Sequence, residues 1–134
     1  MMIKLAVCGA HMRGLALNHQ LLERNAEFVE ETLSASVYRL YHLPPLKPGI
    51  PPRPGMIRVS AGGAAIAMEI WQMPAENFGN FLEAIAAPLG LGRVSLPDGT
   101  TVCGFICEAI AAETAQDITS FGGWRNWLAS DRTP

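Results

Sequence analysis

Between Pro44 and Gly55 the chain carries six of its ten prolines and two glycines, and nothing else in it constrains the fold as much. Each proline fixes φ and removes a backbone donor, so this stretch is neither a helix nor a central strand. It reads as a stiff, extended surface loop, with a proline-rich peptide ligand as the functional alternative. Too little chain precedes it to build a separate core, so it is a loop within a single domain spanning 1–134.

The flanking sequence is that of a packed globule. Hydrophobic residues make up 49% and charged residues only 16% of 134 residues, a balance that excludes disorder. The net charge of −2 and scattered basic residues argue against a nucleic-acid binder, which would show a basic stripe. No apolar run approaches the roughly 20 residues of a membrane span. No basic region with a long apolar core opens the chain, so the cytosol is the expected compartment. The three cysteines, Cys8, Cys103 and Cys107, form no disulfide framework. With the three histidines they lack zinc-ligand spacing, so neither metal nor cofactor is expected.

Ile3–Cys8 reads as a first strand stopped by Gly9, followed by a helical turn within Leu17–Asn25 and a strand over Ala26–Leu33. Val37–Leu43 is β-branched and aromatic, a clear strand, with Arg39 and Tyr41 on one face and Tyr38, Leu40 and His42 on the other. After the proline loop come strands at Met56–Ser60 and Ala64–Gln72. Pro74, Glu76, Phe78, Phe81, Leu82 and Ile85 then mark an amphipathic helix with proline and acid at its start. Leu91–Leu96 and Thr100–Cys107 form a hairpin about Asp98-Gly99. An Ala-rich, partly helical stretch at 109–119 and a short aromatic helix within 121–128 follow. The expectation is α+β, with a curled or barrel-like sheet and few helices.

Candidate chemistry gathers in Gly9-Ala10-His11-Met12-Arg13-Gly14-Leu15-Ala16-Leu17-Asn18-His19-Gln20, a polar loop leaving a buried strand. Its imidazole, amides and backbone N–H groups suit a small anion; a turn merely tied down by the same groups is the alternative. Arg39 with Tyr41 supplies a carboxylate fork and a hydroxyl, or else Arg39 pairs structurally with Glu69. Glu69 sits among small residues on a strand that looks buried on both faces, where a carboxylate needs a cation or several donors; a glutamate at a solvated strand edge is the alternative. Glu108 lies at a strand end, as active carboxylates often do. Gly122-Gly123-Trp124-Arg125 suits close packing of a tryptophan better than phosphate binding.

Gly9-Ala10-His11, Gly14, Leu17-Asn18, Gln20-Leu21 and Tyr38-Arg39-Leu40-Tyr41 together resemble the C-terminal domain of allophanate hydrolases. The match continues in order through Pro54-Gly55-Met56-Ile57-Arg58-Val59, Met68-Glu69-Ile70-Trp71, Pro88-Leu89-Gly90-Leu91-Gly92, Gly104-Phe105-Ile106-Cys107-Glu108 and Phe121-Gly122-Gly123-Trp124-Arg125. The resemblance implies a small mixed, largely antiparallel barrel with a few flanking helices, like the γ-glutamyl cyclotransferases. It implies that Cys8-Gly9-Ala10-His11 stands where those enzymes carry their ligand loop. Ala86–Gly90, where they place a catalytic glutamate, has no acid here, which argues against cyclotransferase activity.

The resemblance also implies a role in urea and allophanate catabolism, assisting decarboxylation of N-carboxycarbamate beside a separate amidase, since the chain has no room for an amidase catalytic set. Under that reading His11 is the candidate acid, with Glu69 and Glu108 as further catalytic candidates. Gly9, Ala10, Asn18, Gln20, Arg39 and Tyr41 bind a small dicarboxylate-like substrate. The expected partners are that substrate, an amidase-family protein and, as a homodimer, a second copy. The alternatives are a non-catalytic accessory subunit docking through Trp124 and Trp127, or a cyclotransferase-like enzyme acting on another small amide.

Overall fold

The computed structural model describes residues 1–130. Strand β1 (Met2–Val7) is central to the larger sheet, and Leu5, Ala6 and Val7 are all buried because both its faces are covered. Four further strands complete this sheet: β2 (Glu27–Leu33), β5 (Ala67–Pro74), β6 (Leu89–Ser95) and β7 (Thr101–Cys107). Their order is β2-β5-β1-β7-β6, antiparallel except for the β1–β7 pair. The smaller sheet has the order β4-β3-β8, built from β3 (Tyr38–Leu43), β4 (Arg53–Arg58) and the two-residue β8 (Gln116–Asp117). Helices α1 (Asn18–Leu22), α2 (Ala75–Glu83) and α3 (Trp124–Ala129) flank the sheets. No helix among the described residues is long and apolar enough to cross a membrane.

The architecture is α+β and largely antiparallel, as expected. Its strands form two ladders instead of closing into one barrel. The sheets meet where β4 abuts β7. Gly55 comes so close there that a Cβ would stand 2.7 Å from Cys107 Sγ. β4 starts at Arg53 and runs through Pro54 and Gly55, a region expected to be loop. Proline is tolerated because β4 is an edge strand paired only with β3, where Pro54 faces His42.

Local chemistry explains the other boundaries. The β6–β7 turn is closed by Asp98 Oδ1, which accepts from Thr100 N–H at 2.9 Å, with Gly99 at φ +88°. In α2 the apolar stripe buries Phe81 and half-buries Phe78, while Ala84 ends the helix. The stretch after β7 makes a 3₁₀ turn at Ala109–Glu113 and then β8. Trp124 and Trp127 are 2% and 7% exposed and stack on each other at 4.8 Å between ring centroids. They belong to the core, which fits the expected close packing of a tryptophan after Gly122-Gly123 and leaves these two rings little surface for the alternative of docking through them.

Candidate functional site

The β1–α1 loop is held from several directions. Within it, Met12 N–H donates to the Gly9 carbonyl at 3.0 Å and Leu17 N–H to the Ala10 carbonyl at 2.8 Å. Asn18, only 8% exposed, donates through Nδ2 to the His11 carbonyl at 2.8 Å. Asn18 therefore shapes the loop, and its amide is already committed. Gly9 is required for the loop's position, since a Cβ there would lie 2.6 Å from two ring carbons of Pro54. That contact seats the loop against the start of β4. Among the described residues, the N–H groups of Ala10 and His11 donate to none of the turn and loop carbonyls.

The His11 ring stacks on Phe105, with centroids 5.0 Å apart, and meets the edge of Phe81 at 5.3 Å. Its Nε2 lies 2.8 Å from Gln20 Oε1. With Gln20 presenting its carbonyl oxygen, Nε2 carries the proton of the neutral ring and Nδ1 keeps the lone pair. Burial among the aromatic rings pushes the imidazole below its ordinary value of 6.5. The Gln20 bond opposes this, and His19 and Arg24 add to it. His11 is therefore neutral at pH 7.

His11 lines a two-part cavity. An inner compartment of about 40 Å³ is walled by Cys8, Gly9, Ala10, His11, Arg53 and Pro54, among others. An outer compartment of about 260 Å³ shares His11, Arg53 and Phe105 and adds Gln20, Lys47 and the segment Ala84–Ala86. Arg53 is the residue that sequence reasoning missed. Its Nε is buried and finds no hydrogen-bond acceptor among the described residues. Burial lowers its basicity and the neighbouring Cys107 opposes that, but a guanidinium stays charged at any working pH. The signal in the sequence was an arginine between prolines, a rigid mount for a fixed cation, but it lay in a stretch read as surface loop.

The other expected site residues lie elsewhere. Glu69, 1% exposed, sits mid-sheet on β5. Its Oε1 accepts from Arg13 N–H at 2.9 Å and from Trp71 Nε1 at 3.1 Å. Its Oε2 pairs with Arg125 at 2.9 Å and Arg13 Nε at 3.5 Å. Arg125 also donates to the Arg13 carbonyl at 2.7 Å. Burial raises the carboxyl's pKa, but these donors together outweigh it and hold the group below its ordinary value. Glu69 thus braces the far side of the His11 loop from within the core, and its cation partners are Arg13 and Arg125, not Arg39. A cleft of about 370 Å³ opens over it beside Met12 and Trp124, with the carboxylate already satisfied.

Arg39 pairs with Asp117 at 2.7 Å and donates to the Gly62 carbonyl, on the smaller sheet and away from the residues lining the His11 cavity. Tyr41 stands opposite Gly55 and Asp117 and packs beside Leu43, Ile57 and Cys107. Glu108 is exposed, and its N–H donates to the Pro88 carbonyl at 2.8 Å. The structure therefore brings together Gly9, Ala10, His11 and Gln20, supported by Asn18, but not Arg39, Tyr41, Glu69 or Glu108. Among the described residues no three His, Cys, Asp or Glu side chains converge as metal ligands.

The fold defines a structural class, that of the γ-glutamyl cyclotransferase-like fold. A solved γ-glutamyl cyclotransferase superposes with a TM-score of 0.58 over 87% of this chain and 70% of its own, at 10% identity, a likeness of fold alone. Within that class the chain belongs to the allophanate hydrolase C-terminal domain family, whose model matches residues 3–129. It is 41% identical over 129 residues to the urea amidolyase of Saccharomyces cerevisiae, covering 94% of this chain but 7% of that protein. The Kluyveromyces lactis allophanate hydrolase structure matches with a TM-score of 0.89 at 38% identity, over 96% of this chain and 21% of that one. A uropathogenic E. coli-specific protein of known structure matches nearly end to end, covering 96% of this chain and 97% of its own, with a TM-score of 0.85 and 36% identity.

Proposed function

We propose that the His11 cavity binds a small dianion and that the chain assists loss of carbon dioxide from N-carboxycarbamate, next to an amidase-family protein in urea and allophanate breakdown. One observation carries this reading: a half-buried arginine, Arg53, whose Nε is buried and finds no acceptor among the described residues, lines a small cavity built by the polar loop. A buried charged donor left without an acceptor costs about 1–3 kcal/mol or more, which a carboxylate would recover. Arg53 takes the role that the sequence suggested for Arg39. Lys47 supplies a second positive charge at the outer compartment, and Gln20 orients His11 while its own amide nitrogen donates to the substrate.

Decarboxylation breaks a C–N bond, and the nitrogen must gain a proton as carbon dioxide leaves. A positioned acid contributes roughly 10²–10⁴-fold to such a step, and His11 is the group placed to act. The cavity wall at Ala84–Ala86 and Leu89 carries no carboxylate, so a cyclotransferase-like reaction lacks its acid or base there.

Calorimetric titration with malonate, a stable dianion of similar size, tests the reading. Wild-type protein binds, Arg53→Ala weakens binding at least tenfold, and Lys47→Ala weakens it several-fold at low salt. Unchanged malonate affinity in Arg53→Ala places the site elsewhere.

A further inference from the structure

We infer that a dianion entering the cavity brings a proton with it: binding protonates His11 at Nδ1, and this proton is the one delivered to the substrate nitrogen. The inference rests on the reading that the cavity takes a small dianion, and it adds how the acid becomes charged.

The geometry explains why the resting ring is neutral. His11 is held between Phe105 and Phe81, and its Nε2 is committed to Gln20, so a gained proton must go to Nδ1. The charged groups around it come from every neighbouring element. The proline loop brings Lys47 and β4 brings Arg53. From α1 and its end come His19 and Arg24, with His19 paired to Glu23 on the surface at 3.0 Å. Just after β1 comes the Cys8 thiol, which burial pushes up to about 12 and so keeps neutral. Cys107 of β7, beside Arg53, is likewise pushed up by burial. Neither Glu76 nor Glu83 of α2 lines the cavity.

Among the described residues, the cavity that the ring lines holds cations and neutral groups, with no carboxylate to hold a second proton. A bound dianion offsets the positive charge of Arg53 and Lys47 and places a carboxylate in the cavity that His11 lines, and an opposite charge that close to the ring favours the imidazolium. The step then balances. The C–N bond of the dianion breaks with its electron pair kept by nitrogen, and Nδ1–H passes its proton to that nitrogen. Carbon dioxide and carbamate monoanion form, and His11 returns to the neutral ring. The proton taken up with each substrate is consumed in each turnover.

The test uses the full chain with malonate, at pH values where malonate is fully ionised. Calorimetry is run in buffers of different ionisation enthalpy, and the His11 ring is followed by NMR. Above the resting titration of His11, binding takes up close to one proton per malonate, and affinity falls about tenfold per pH unit. The His11 resonances move to imidazolium positions on saturation. His11→Gln removes the uptake and the pH dependence. Wild-type binding with no proton uptake and an unmoved neutral ring overturns the inference while leaving the cavity reading in place. Uptake that persists in His11→Gln overturns it too, by placing the proton on another group. Absence of malonate binding overturns both together. Should His11→Gln not fold, the wild-type NMR titration decides alone.

Discussion

Replacing Glu69 with glutamine keeps its shape and removes its charge, and the structure allows the consequence to be sized. The glutamine carbonyl can still accept from Arg13 N–H and Trp71 Nε1, which now share Oε1. Its amide would instead face Arg125 Nη2, turning a 2.9 Å ion pair into a contact between two donors. Removing one partner of a fully buried pair costs about 3–5 kcal/mol. Here the Arg13 and Arg125 side chains are 46% and 45% exposed and can rehydrate, so the cost is discounted to about 2–3 kcal/mol. For a domain of this size that lowers Tm by about 6–12 °C.

The pH dependence has a defined sign. The folded carboxyl titrates below its ordinary value of 4.5, so its contribution is fully present above that value and is lost as pH falls through the folded pKa. Urea unfolding at pH 7 and through the acid range therefore shows Glu69→Gln well below wild type at neutral pH. The gap closes as the medium becomes acid. A variant within 0.5 kcal/mol of wild type at pH 7, or a gap that does not change with acid, would refute the brace argument.

Two further outcomes follow from the same geometry. Gly9→Ala forces a methyl group to within 2.6 Å of the Pro54 ring; it should cost about 1–3 kcal/mol by urea unfolding and weaken malonate binding by shifting the loop off Arg53. Arg39→Ala removes a half-exposed pair with Asp117, and should change stability by no more than about 1 kcal/mol with malonate affinity unaltered. A loss of malonate binding in Arg39→Ala would return that residue to the site.

Much of the fold was legible because local chemistry and burial agreed. Tyr38–Leu43 has the composition of a strand and forms one, Asp98-Gly99 turns the β6–β7 hairpin, and Phe78 and Phe81 mark the inner face of α2. Glu69 was legible as a buried carboxylate needing donors, because its neighbours on β5 are apolar or small. Its partners were not, since period-two alternation assigns a face but not the residue standing opposite. For that reason Glu69 stood as one alternative partner for Arg39, although a two-residue strand, β8, supplies Asp117. Arg53 and Pro54 were hidden by the rule that prolines make loops, which fails at a sheet edge where one side of the backbone needs no partner. The His11 loop was visible from its polar side chains. The cation that completes it was not, because it arrives from a separate hairpin, at the end of β3–β4 where Arg53 stands opposite Leu43.

The bond between Arg125 and the Arg13 carbonyl joins residues 112 apart in sequence, and this has a consequence for biosynthesis. Ribosomes deliver the polar loop early and its brace late, so β1 and the loop leave the exit tunnel long before α3 exists to hold them. Contacts of such long sequence separation form slowly, after the entropy of closing the intervening chain has been met. The anion cavity is therefore a late product of folding. A nascent chain stalled before residue 125 should have much of its β-structure in place and yet not bind malonate.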